Sequence, residues 1–211
     1  MSSARKGIFI TLEGGEGAGK SSQARLLGEA LNAKGHNVLL TREPGGATGA
    51  EAIRKLLVEG PGGHWDGMTE VLLHSAARRD HLVNAVWPAL DAGKIVISDR
   101  FADSTIAYQG YAYGVDVAAL NTLYRIAFGD FKPRLTLILD LPVEAGLERA
   151  AQRGGKETRY ESMGVEFHER VRKGFQAIAK AEPDRCKVID GTQSIDAIHT
   201  QALAEVLKVL P

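Results

Sequence analysis

An α/β sandwich, in which helices cover both faces of a parallel sheet, is the fold class that the amino-acid sequence predicts, on three observations. Short apolar runs alternate with amphipathic stretches from end to end, the pattern of successive βα units. Those runs are continuously apolar rather than alternating, which suits strands covered on both faces. The first run leads into Gly14-Gly15-Glu16-Gly17-Ala18-Gly19-Lys20-Ser21. This string satisfies G-x-x-x-x-G-K-[ST], the phosphate-cradling P-loop, in its required place between a strand and a helix.

Taken in order, 7–13 reads as the entering strand. The stretch 20–34, with Leu26, Leu27, Ala30 and Leu31 at helical spacing, reads as the leaving helix. Further strands are expected at 37–41, 94–98, 135–140 and 186–190. Further helices are expected near 48–58, 67–91, 103–111, 116–128, 143–152, 162–181 and 194–209. Gly60-Pro61-Gly62-Gly63 reads as a loop rather than a linker, and no repeat or low-complexity tract interrupts the alternation. Residues 1–211 therefore read as one domain. The polar, Gly-bearing segment at about 150–161 suits a short mobile lid.

Lys+Arg and Asp+Glu are both 26, so the net charge is zero. No overall basic field favours a polynucleotide, and a small anionic substrate fits better. A single cysteine, Cys186, excludes an intrachain disulfide and agrees with a reducing cytoplasm. No stretch reaches the length of a bilayer span, so no membrane partner is expected. Arg5 and Lys6 before a short apolar run faintly resemble a signal peptide, but cleavage there would destroy the P-loop.

The chemistry explains the spacing of the loop. Its glycines let backbone N–H groups wrap a polyphosphate. Lys20 is placed to neutralise the β- and γ-phosphates and the Ser21 hydroxyl to ligate Mg²⁺, while the helix N-terminus adds partial positive charge. Asp99-Arg100-Phe101 follows the strand 94–98 at its carboxyl end, where open α/β sheets bind ligands. Asp99 there suits Mg²⁺, directly or through water, and Arg100 suits a phosphate. Asp140 ends another apolar strand and competes for the metal role. Glu70, His74 and Arg78 share one helix face. A ring one turn before a guanidinium can stack on a nucleobase and bond its edge, although the same spacing also suits a solvated face with a salt bridge. Arg149, Arg153, Lys156 and Arg159 supply positive charge near the lid, where phosphoryl transfer needs it once water is excluded. No Asn-Lys-x-Asp string for guanine occurs. A small-molecule kinase and a P-loop switch that gates a partner both remain open on these residues.

Three segments together resemble those of bacterial thymidylate kinases: Thr41-Arg42-Glu43-Pro44-Gly45-Gly46, Asp99-Arg100-Phe101 with Asp103-Ser104-Thr105-Ile106-Ala107-Tyr108-Gln109-Gly110, and the loop written from Glu13 to Ser21. The resemblance covers nearly the whole chain, in the family's order and spacing. It implies a homodimeric P-loop nucleoside-monophosphate kinase that uses ATP, dTMP and Mg²⁺ on a five-stranded parallel sheet. By position it implies ATP contacts from Gly14, Gly15, Glu16, Gly17, Ala18, Gly19, Lys20, Ser21, Ser22 and Arg149, and metal contacts from Ser21 and Asp99. The dTMP contacts so implied are Glu43, Pro44, Arg54, His74, Arg78, Arg100, Thr105, Tyr108 and Gln109. Among these, Arg100 holds the phosphate, Arg78 reads the thymine edge, Thr105 its N3 side, and Tyr108 and Gln109 line the sugar and base. Glu16 in the loop, rather than a basic residue, resembles the subtype whose catalytic arginine comes from the lid. That points to Arg153, in a catalytic set with Lys20, Arg100 and Glu16. Three departures stand out: His74 where the family usually has a stacking Phe, Ala47 where Thr commonly follows the two glycines, and a lid one residue longer than the common form.

Overall fold

The computed structural model describes residues 5–59, 64–153 (Arg153 by its backbone only) and 159–210. Five strands form one sheet: β1 (Ile8–Gly14), β2 (Val38–Arg42), β3 (Ile95–Asp99), β4 (Leu135–Asp140) and β5 (Cys186–Asp190). Their order is β2-β3-β1-β4-β5 and every pairing is parallel, with Ile10 opposite both Ile97 and Leu135. Each predicted strand is present, within one residue of its expected bounds.

The helices are α1 (Lys20–Ala33), α2 (Thr48–Val58), α3 (Gly67–His81), α4 (Trp87–Asp91), α5 (Ala102–Thr105), α6 (Val117–Phe128), α7 (Val143–Arg153), α8 (Val165–Ala181) and α9 (Ile195–Val209). They make the two outer layers. Successive β1 residues point to opposite faces of the sheet. Ile10 and Leu12 pack with Leu27 and Leu31 of α1 and with Ile198 and Val206 of α9. Phe9 packs on the other face with Leu82, Val96, Phe101 and Phe128. Tyr108, Phe167, Val171 and Phe175 form an adjoining cluster under α8.

Two predicted helices are wider in places than the sequence pattern indicated. The stretch 67–91 runs as α3, a π-helical segment Leu82–Val86, then α4. Pro88 has no N–H to donate to the preceding turn, and the local widening accommodates that gap. The stretch 103–111 runs as α5 followed by a π-helical segment Ile106–Ala112, which carries Tyr108 and Gln109. Of the expected lid, α7 supplies the first arm and ends at Arg153, whereas 154–158, with Lys156, lie outside the described residues. Among the described residues no helix is long and apolar enough to cross a membrane.

Candidate active site

β1 delivers the chain to the loop at the carboxyl edge of the sheet. Gly14, Gly17 and Gly19 there take φ of 137°, 66° and 90°, values that side chains rarely adopt. Gly19 caps α1 without a side-chain bond, so the first-turn N–H groups stay directed at an anion. The loop also packs backbone-to-backbone on α7. A Cβ on Gly17 would lie 2.0 Å from the Gly146 carbonyl oxygen, and one on Gly146 would lie 2.4 Å from that of Glu16.

Lys20 curls back over the loop and donates to the carbonyls of Gly14 at 3.2 Å and Gly15 at 2.7 Å. Burial lowers its pKa to about 8, the nearby Arg100 adding to the fall. Ser21 donates to the Asp99 carboxylate. These are two hard oxygen donors, and among the described residues no cluster of three or more acidic, His or Cys groups could hold a metal unaided. Such a sparse pair fits Mg²⁺, which takes one or two protein oxygens and fills its shell from phosphates and water. Asp140, the competing acid, is instead committed to Arg172 of α8 through contacts of 2.7 and 3.0 Å.

Arg100 is the one residue other than glycine with a positive φ, 69°, among those described. That conformation costs on the order of 1 kcal/mol, and several contacts hold it. The Arg100 N–H donates to the Leu12 carbonyl at 2.9 Å, Ser98 Oγ donates to the Arg100 carbonyl at 2.8 Å, and the Phe101 N–H donates to Glu13 Oε1 at 2.8 Å. The side chain consequently reaches Glu16 Oε1 at 2.9 Å, the Gly14 carbonyl at 3.1 Å and Tyr108 at 3.1 Å. Tyr108 OH donates to the same Glu16 oxygen at 2.8 Å. Burial alone would raise the Glu16 pKa, but the charges of Arg100 and Lys20 outweigh it and bring it to about 2. Glu16 is therefore an anion that aims Arg100. Glu13 is the opposite case: burial, reinforced by Asp103, lifts its pKa to about 8.

A cleft of about 750 Å³ joins these parts. It is bordered by Gly17 to Ser22 and Arg149, by Asp99 and Arg100, and by His74, Thr105 and Gln109. Glu43, Pro44, Arg54, Tyr108 and Tyr160 also border it, and Arg54 donates to the Pro44 carbonyl at 2.5 Å. Arg149 on α7 donates to the Gly191 carbonyl at 3.3 Å.

Two arginines are held by buried carboxylates. Arg78 stands behind the cleft wall, buried, with its Nε on Glu43 at 2.7 Å and its Nη2 on the Phe101 carbonyl at 3.1 Å and Thr105 Oγ1 at 3.2 Å. These three bonds engage Nε and Nη2 and leave Nη1 out. Arg159, expected among the lid charges, is 2 % exposed and paired with Glu70. A guanidinium so placed anchors its own segment to α3 and cannot serve as a free phosphate-binding charge.

Glu70, read from the sequence as one of three residues on a helix face, is a fully buried hub. Besides Arg159 it accepts from Gln109 Nε2 at 2.8 Å, Tyr160 OH at 2.9 Å and Tyr113 OH at 3.1 Å. His74 Nε2 lies 3.2 Å from Tyr160 OH. Burial, then the charges of Arg78, Arg100 and Arg159, bring the His74 pKa down to about 3, so the ring facing the cleft is neutral. Tyr160 and Gly146 carried no motif. An isolated glycine inside a predicted helix was the only available signal for Gly146.

Comparison with known proteins gives the family. The family model described as Thymidylate kinase matches residues 12–202. The thymidylate kinase of Caulobacter vibrioides is 52% identical over 202 residues, covering 96% of each chain. That of Gluconobacter oxydans is 54% identical over 208 residues, covering 96% of this chain and 95% of the relative. A crystal structure of thymidylate kinase from Ehrlichia chaffeensis superposes with a TM-score of 0.74 at 39% identity, over 97% of this chain and 99% of that one. A family match across almost the whole sequence, near-complete relatives at about half identity and a shared three-layer architecture lead to one conclusion: the chain belongs to the thymidylate kinase family.

Proposed function

We propose that this single-domain chain transfers the γ-phosphoryl group of ATP to dTMP, giving ADP and dTDP on the route to dTTP. The observation that carries the reading is one cleft lined by the P-loop, by Arg100, and by the polar and ring side chains of His74, Thr105, Tyr108 and Gln109. A dTMP phosphate oxygen attacks the γ-phosphorus in line, and the bond to the β–γ bridging oxygen breaks. No general base is needed, because a phosphate monoester is largely a dianion at neutral pH. Catalysis then rests on positioning and on charge stabilisation.

Lys20 meets the β- and γ-phosphates, and Arg100, released from Glu16 and Tyr108 by a stronger anion, grips the dTMP phosphate. Ser21 and Asp99 would hold Mg²⁺, which on binding neutralises part of the triphosphate charge. Arg149 flanks the ATP end. At the acceptor end His74 faces the thymine plane, Arg78, held beside Thr105 and Glu43, reads the thymine edge, Thr105 meets its N3 side, and Gln109 lines the base. Tyr108 beside the sugar disfavours a 2′-hydroxyl. Arg153, at the end of the first lid arm, supplies charge to the moving phosphoryl group.

We infer a homodimer as well, supported by the exposed apolar side chains Met68 and Leu72 on α3 and Ile126 on α6. Sedimentation equilibrium reads it directly. The substrates place the enzyme in the cytoplasm.

A coupled ADP-release assay against a panel of nucleoside monophosphates tests the reaction. The expected order is dTMP first, dUMP weaker through the lost methyl contact, and dCMP, AMP and GMP near background. Sites that hydrogen-bond a substrate edge reject mismatched analogues by factors on the order of 10⁴. A panel in which AMP, GMP or dCMP outruns dTMP overturns the assignment.

A further inference from the structure

His74 presents its ring to the cleft, and this ring does something a phenyl group cannot. Its Nε2 sits 3.2 Å from Tyr160 OH. That hydroxyl also lies 2.9 Å from Glu70 Oε2, whose other oxygen is paired with the buried Arg159. Hydrogen bookkeeping fixes the directions. A carboxylate in an ion pair only accepts, so Tyr160 gives its single O–H hydrogen to Glu70. The Tyr160 oxygen then has only lone pairs to offer, and His74 Nε2 must carry the hydrogen that bridges them. A neutral imidazole has one N–H, so Nδ1 is left as the acceptor nitrogen.

We propose that Tyr160 is a positioning residue for the base-facing ring: pinned by Glu70, its hydroxyl accepts from His74 Nε2–H and holds the imidazole in one tautomer and one plane. The description of the ring as base-facing rests on the function proposed above; the tether itself does not. An imidazole covers less of a nucleobase than a phenyl ring does, and fixing its orientation before binding removes rotamer freedom that would otherwise be lost on binding. Tyr160 immediately follows Arg159 on the return arm of the lid. The tether therefore joins the acceptor subsite to the lid stem through side chains alone. Desolvation keeps both groups in the required state: His74 neutral, and Tyr160 protonated with its pKa well above the ordinary value.

Two readouts test it, and the first needs no substrate. Ring ¹⁵N spectra of the unliganded full chain near neutral pH, with His74 assigned by its loss in His74→Phe, should show His74 as the Nε2–H tautomer. In Tyr160→Phe that single tautomer should give way to a mixture. An Nδ1–H tautomer or an imidazolium in the wild type overturns the proposal, as does an unchanged Nε2–H tautomer in Tyr160→Phe. The second readout is a double-mutant cycle on KM for dTMP using His74→Phe, Tyr160→Phe and the pair. Tyr160→Phe should raise KM about fivefold beside His74, the scale of one hydrogen bond, and have little effect beside Phe at 74. Equal effects in both backgrounds would mean that Tyr160 acts only on Glu70 and Gln109, which also overturns it. Wild-type enzyme inactive on dTMP would defeat the function proposed above, while the tautomer spectra would still decide the tether.

Discussion

At the scale of single residues the site is a set of charges aimed by other charges. Lys20→Ala should lower turnover by roughly a hundredfold or more with the fold intact, since it removes a positive group from the developing transition-state charge. Near-normal kcat with an unchanged circular dichroism spectrum would contradict the role given to the loop. Glu13 allows a test by pH alone. Its pKa rises from 4.5 to about 8 on folding. Between those values the folded chain keeps a proton that the unfolded chain has released, so stability falls as pH rises through that window. Thermal melts of wild type and Glu13→Gln from pH 5 to 8 should show that decline in the wild type and a flatter profile in the variant. The loop, Asp99 and Arg100 were legible because each has a type and a spacing tied to a chemistry. The inward turn of Arg78 and the burial of Arg159 were not, because a guanidinium in sequence reads as a surface charge. Their partners Glu43 and Glu70 lie 35 and 89 residues away.

At the scale of elements, strands and helices were read almost to their ends, because continuous apolar runs and 3.6-residue periodicity are local properties. What the pattern could not show is support between elements. The residue before α2, Ala47, offers no side-chain cap; the Asp80 carboxylate on α3 accepts the Ala50 N–H at 2.8 Å instead. Asp80→Ala should cost about 1 kcal/mol, the usual value of an N-cap, and lower Tm by roughly 2–4 °C at this chain length. No change in a calorimetric scan would show that water replaces the carboxylate. The end of α7 gives a kinetic counterpart. Arg153→Ala should lower kcat far more than it raises either KM, because a group engaged mainly in the transition state contributes little to ground-state binding. Steady-state kinetics showing only a raised KM for ATP would make it a binding clamp.

At the scale of the whole molecule, the order β2-β3-β1-β4-β5 places β1 between the two strands whose carboxyl ends bear Asp99 and Asp140. Both nucleotides are thereby assigned to one crevice at one sheet edge. A ligand at a hundred times its Kd stabilises by about 2.7 kcal/mol, which at this size raises Tm by roughly 5–10 °C. A non-hydrolysable ATP analogue and dTMP should each give such a shift, and together a larger one, in thermal-shift measurements. Mutual displacement instead of a summed shift would mean that the two compete for one subsite.

The contact of Gly17 with Gly146 limits what either position can carry. Alanine would favour an isolated helix over glycine by about 1 kcal/mol at position 146, yet a methyl group there would meet the Glu16 carbonyl 2.4 Å away. Helix α7 therefore forgoes local stability so that the phosphate loop can rest directly on its backbone. Neither glycine can gain a side chain unless the facing backbone retreats, so the two positions, 129 residues apart in number, act as one mechanical joint. The first turn of α7 is thereby fixed by the loop that holds the triphosphate.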